Sequence, residues 1–174
     1  MQRDSESAAT GAAIDRVRRR LLAGGAAVAG LLGLAASHRG RAEEGADELR
    51  FPGDPAEHKV VYQFNKAEPE YHSAVLFSVG AMLRKYGDNI EIAVVAFGPG
   101  IHILAKNPGR PVSEEVKQRV SSLSQYGIRF IACGNTMKAL NWTEDDILPF
   151  AEVVEVGAAA LLELQEEGYS YISW

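Results

Sequence analysis

The chain has 174 residues, 47% of them apolar, a formal net charge of −5 and one cysteine. That length and apolar share support one packed domain plus an appendage, held by its own core rather than by disulfides or a structural metal. Residues 43–174 hold 11 of the 18 basic and 20 of the 23 acidic side chains, a net −9. This argues against a nucleic-acid or anionic-membrane partner, since both need a basic face.

The first 42 residues read as an export signal. A polar start ends in "RVRRR", Arg16 to Arg20, and "LLAGGAAVAGLLGLAA", Leu21 to Ala36, follows without a charge. A basic region, a short apolar run and small residues at a cleavage site form a secretory signal. As a helix the sixteen residues rise only about 24 Å, short of a roughly 30 Å hydrocarbon core. The competing reading is an uncleaved signal kept as a membrane anchor. "VRRRLLA", Val17 to Ala23, resembles the twin-arginine signal, with Arg18 and Arg19 as the pair and Leu21 and Leu22 as the apolar positions; Val17 replaces the usual polar residue. Cleavage after Ser37 or Ala42 would release a periplasmic protein. Residues 43–57 are charged and hold two prolines, as a flexible linker does.

From residue 58 the pattern is regular. "KVVYQF" (59–64) predicts a strand, and "PEYHSAVLFSVGAMLRKYG" (69–87) repeats apolar residues at helical spacing. "IEIAVVAF" (90–97) is apolar almost throughout, as in a strand covered on both faces. Ser113 caps a helix that runs through Val116, Val120 and Leu123 to Gly127. "IRFIA" (128–132) is a third strand, and a short helix follows from about Thr136, capped by Asn135 or Thr136. "TEDD" (143–146) fits a capping box. "AEVVEV" (151–156) is a fourth strand, "AAALLELQEEG" (158–168) a helix, and "YSYIS" (169–173) a fifth strand. This alternation predicts an α/β three-layer sandwich around a five-stranded, mainly parallel sheet, flavodoxin-like.

In such a sheet the loops leaving the carboxyl ends of the strands share one edge, where ligands bind. That edge collects "NKAEPEYH" after the first strand, "GPGIH" after the second and "CGN" after the third. The glycines of "GPG", Gly98 and Gly100, lack the spacing of a nucleotide-binding loop, and a tight turn accounts for them. Cys133 is different, because backbone N–H groups at a helix start favour a thiolate. The plain alternative is a buried cysteine serving as a small hydrophobe. A Cys133 pair with His102 or His72 would suit a hydrolase, but no acid is placed to orient the imidazole. Zinc lacks a ligand set, and no cofactor motif is present. Cys133 with Met137, four residues apart, would suit Cu(I).

The order "VVYQFN", "VVAFGPGIHIL", "FIACGNTMKAL", "AEVVEVGAAALLELQEEGYSYI" resembles the DsrE/DsrF-like proteins, over about residues 58–174, and most their small exported members. The resemblance implies an α/β sandwich, a trimer or hexamer, and sulfur relay, in which a cysteine takes sulfane sulfur as a persulfide and passes it on. Cys133 matches the sulfur-carrying position. The implied partners are donor and acceptor proteins or small sulfane-sulfur compounds. Export would exclude tRNA thiolation and leave sulfur oxidation or sulfide handling. On this reading Gly134 and Asn135 help hold the anion, Asn65, Gly98 and Gly100 shape the pocket, and His102 donates a proton. The alternatives are a soft-metal (copper) or small-ligand binding protein, and a scaffold in which Cys133 is packing.

Overall fold

The computed structural model describes residues 53–174. The expected export signal and most of the linker lie outside the described residues. Five strands form one sheet: β1 (His58–Phe64), β2 (Ile90–Ala96), β3 (Arg129–Cys133), β4 (Glu152–Val154) and β5 (Ser170–Ile172). Their order is β4-β3-β2-β1-β5, and all four pairings are parallel. The helices are α1 (Pro69–Tyr86), α2 (Glu114–Gln125), α3 (Gly134–Ala139) and α4 (Gly157–Glu166).

The strand order decides where each helix lies. From β1 to β4 every step moves one strand in the same direction, so right-handed crossovers keep α1, α2 and α3 on one face. The step from β4 to β5 returns across the whole sheet, so α4 falls on the other face. The core divides accordingly. Val75 and Val79 of α1, Val120 of α2 and Met137 of α3 pack with Tyr62, Phe64, Val94 and Phe130. Ala160, Leu161 and Leu164 of α4 pack with Val61, Ala93, Val95 and Ile131. Alternate residues of β1 and β2 thus enter different layers, which is why both strands read as unbroken apolar runs.

Local signals fix several boundaries. The Ser113 hydroxyl accepts from the Val116 N–H at 3.2 Å and starts α2. Gly127, at φ +85°, takes the left-handed turn behind α2 at no side-chain cost. Three expectations are corrected. Strand β4 has three residues rather than six, because an edge strand extends only as far as its neighbour, and β3 ends at Cys133, opposite Val154. Helix α3 starts at Gly134, two residues before Thr136, so the cap position is Cys133 rather than Asn135 or Thr136. "GPGIH" opens a seven-residue 3₁₀ segment, Gly98–Leu104, rather than a bare turn.

Candidate functional site

The topology creates one crevice. Strands β3 and β4 are neighbours, but the chain leaving β3 enters α3 on one face and the chain leaving β4 enters α4 on the other. Where adjacent exits diverge, the carboxyl edge of an open parallel sheet parts and receives ligands. Cys133 ends β3 at this point, and its residue is 6% exposed.

One backbone N–H reaches the sulfur directly. The Gly157 N–H, at the first turn of α4, donates to Sγ at 3.2 Å. The start of α3 adds the dipoles of Asn135 and Thr136, which favour the anion without a capping hydrogen bond to the sulfur. Burial is the largest single influence and pushes the thiol up, but these groups together outweigh it and bring it below the ordinary value. These are all neutral groups, so the anion is favoured by dipoles rather than by a cation. The Asn135 N–H itself donates to the Glu155 carbonyl at 3.0 Å.

Thr136 is oriented from outside. The Gly98 N–H donates to Thr136 Oγ1 at 3.0 Å. An oxygen that accepts there is free to turn its own proton elsewhere, and the hydroxyl favours the Cys133 anion. The loop after β2 thereby holds Thr136 in the first turn of the helix that Cys133 caps.

Glycine is required at two contacts. A Cβ on Gly157 would stand 2.9 Å from the Cys133 Cβ and 3.4 Å from its sulfur. A Cβ on Gly134 would stand 2.9 Å from the Val154 carbonyl oxygen. Only a bare backbone lets β3 and α4 approach this closely.

The structure therefore brings Cys133, Gly98, Gly134 and Asn135 together. Gly100 lies one step away, pressed against the end of β1, where its Cβ would meet the Phe64 carbonyl at 2.3 Å. Asn65 follows β1, and its N–H donates to the Tyr71 hydroxyl at 3.2 Å. His102 is engaged elsewhere. Its Nδ1 accepts from the Gly109 N–H at 3.2 Å, and its ring meets Trp142 edge-on at 5.0 Å. Burial lowers its pKa first, with Arg110 and His72 adding to the effect, so the ring is neutral near pH 7. Met137 is 4% exposed and sits in the core between sheet and helices. Among the described residues no three His, Cys, Asp or Glu side chains gather as a metal cluster.

Sequence reasoning missed the influence of Thr136 on the thiol, and Gly157 altogether. The available hint was a glycine at the junction of a strand and a helix with no Ser, Thr, Asp or Asn before it as a cap.

The model of the DsrE/DsrF-like family matches residues 52–174. The structure of MTH1491 from Methanobacterium thermoautotrophicum, described as a protein of unknown function, is 28% identical, with a TM-score of 0.61. The match covers 68% of this chain and 100% of that one. The ychN protein of E. coli is 11% identical with a TM-score of 0.54, covering 67% of this chain and 99% of that one. BT1422 of Bacteroides thetaiotaomicron, described as a conserved protein of unknown function, is 14% identical with a TM-score of 0.51, covering 67% and 94%. The last two likenesses concern the fold alone. No curated protein matches the chain.

Proposed function

Since the chain belongs to the DsrE/DsrF-like family, which is implicated in sulfur relay, we propose that it is a sulfur carrier that holds sulfane sulfur as a persulfide on Cys133. The observation that carries this reading is the Gly157 N–H donated to a lone, largely covered sulfur that stands at the cap position of α3. A thiolate is the nucleophile in exchange at sulfur, and this setting favours it. The Cys133 thiolate attacks the outer sulfur of a persulfide or polysulfide donor. The donor's S–S bond breaks, its inner sulfur leaves with the electron pair as a thiolate, and Cys133 gains one sulfur. Return to an acceptor thiolate is the reverse reaction, so no external oxidant or reductant is needed. Solitude suits a carrier, since a neighbouring cysteine would attack the persulfide and leave a disulfide.

Donor and acceptor are small sulfane compounds or partner proteins, and the compartment is the periplasm if the leader directs export. Polysulfide treatment of reduced protein, followed by intact mass, tests the reading. One added sulfur, about 32 Da, removed by dithiothreitol and missing in Cys133→Ser, is the expected result. A native protein that gains no sulfur, or a Cys133→Ser variant that still gains it, defeats the proposal.

A further inference from the structure

Between α1 and α2, on the side away from the sheet, runs a groove of about 790 Å³. Its lining includes Leu83 and Leu123, with Phe77 and Tyr126 62% and 73% exposed. Gly80 lies mid-helix in the same lining, where glycine costs about 1 kcal/mol against alanine. The Arg84 guanidinium lies alongside, where a Cβ on Gly80 would touch it at 3.4 Å in ordinary contact. That guanidinium lies 5.8 Å over the Phe77 ring and, among the described residues, has no ion-pair partner. Arg119 lines the groove too and shares its charge with Glu115 at 2.9 Å. Exposed aromatics with arginines on an apolar floor are the composition of a protein interface.

A complementary surface is carried by the same molecule. No lysine or arginine follows Lys138 in the sequence. Helix α4 presents Leu162, 57% exposed, on a ridge with Ala158 and Glu166, and the exposed Glu163 lies beside it. This is an apolar anchor within an acidic rim. The groove is an apolar floor with two guanidinium groups, and Asp88 is the one acid in its lining.

We propose that α4 of one copy seats in the α1–α2 groove of the next. Leu162 enters between Phe77 and Tyr126, and Glu163 and Glu166 face Arg84 and Arg119. The two surfaces lie on opposite faces of the sheet, so the contact is heterologous and each copy supplies both halves. Repetition closes into a ring or runs on as a filament, according to the rotation per step.

The test is the mass of the full-length chain in solution, by light scattering at micromolar concentration, with circular dichroism confirming the fold of each variant. The wild type is expected to be several times the monomer mass. Arg84→Glu with Arg119→Glu reduces it to the monomer, and so does Glu163→Arg with Glu166→Arg. Joining all four changes in one chain restores assembly, and so does mixing the two double variants. A monomeric wild type overturns the proposal. So does assembly that survives either double reversal, or folded reversed chains that fail to reassemble in both the fourfold variant and the mixture. Leu162→Glu, a single surface change, serves if the reversed chains do not fold: it should dissociate the assembly, and an unchanged mass overturns the contact.

Discussion

Gly157 donates its N–H to the sulfur of Cys133 at 3.2 Å across 24 positions of sequence. The bond joins the ends of two strands whose following helices lie on opposite faces. It exists only because position 157 has no side chain. Gly157→Ala would place a methyl 2.9 Å from the Cys133 Cβ, with the backbone on both sides resisting. The expected cost is about 1–3 kcal/mol of stability, the usual range for overpacking a core. The larger effect falls on the thiol, whose donor is pushed away. Denaturant unfolding together with alkylation rate against pH would measure both, and an unchanged alkylation profile would contradict the assigned role.

Thr136 separates hydroxyl from bulk. Thr136→Val keeps the shape and removes the proton donor, so the Cys133 thiol should titrate higher and alkylate several-fold more slowly near neutral pH. Thr136→Ser should restore most of the effect. Since the Gly98 N–H holds this hydroxyl at 3.0 Å, the valine also leaves that amide without its partner. A Val variant with wild-type alkylation kinetics would remove the hydroxyl from the account.

The lowered thiol pKa carries a stability signature. The folded state binds its proton less tightly than the unfolded chain, whose thiol titrates near 8.5. The contribution is fully present above that value and is lost as pH falls through the folded pKa. Against Cys133→Ser, the wild type should therefore gain stability as pH rises through that window, then level off. Urea midpoints at a series of pH values under reducing conditions measure it, and parallel curves for the two proteins would count against a folded-state thiolate.

His102 works in the opposite pH range. Its folded pKa is lowered, chiefly by burial, and Nδ1 must stay unprotonated to accept from Gly109. This contribution is complete above the unfolded value of about 6.5 and declines as pH falls toward the folded one. His102→Asn offers an acceptor oxygen near the place of Nδ1 and does not titrate there. Its stability should fall less between pH 7 and 5 than the wild type's, with the buried His72, also lowered by burial, accounting for part of the remainder. Equal losses in the two proteins would show that His102 is not a sensor of that range.

The export signal expected of residues 1–42 has its own test. Changing Arg18, Arg19 and Arg20 together to lysine should hold precursor in the cytoplasm, whereas the pair alone leaves Arg20 to substitute. Fractionation and immunoblotting decide it, and normal periplasmic accumulation of the triple variant would exclude a twin-arginine route.

Much of the domain was legible because its signals are local. The apolar runs of β1 and β2, the Ser113 cap and the α1 periodicity each depend on residues within a turn or two of one another. The placement of Cys133 at the carboxyl edge followed from strand alternation alone. What escaped depends on distance in sequence. Strand β4 is short because β3 stops, and Gly157 matters because the fold brings it to a sulfur far back in the chain. His102 shows the opposite failure: its loop reaches the expected edge, yet its ring is held by Gly109 and Trp142 rather than turned to the thiol. Loop membership is readable from spacing, whereas the direction of a side chain is set by packing.

The pairing of β1 with β5 has a consequence for synthesis. Val60 pairs with Ile92 on one side, but on the other its partner is Ser170, which is made only after β2, β3 and β4. On the ribosome β1 can join β2 early, but its other edge then waits for nearly the whole domain to emerge. An uncovered parallel edge is a template for wrong pairing, and contacts this far apart form late. The strand that finally covers it is three residues long. The nascent chain is therefore exposed to misassembly until β5 emerges, and removal of Ser170–Ile172 would extend that exposure for the lifetime of the protein.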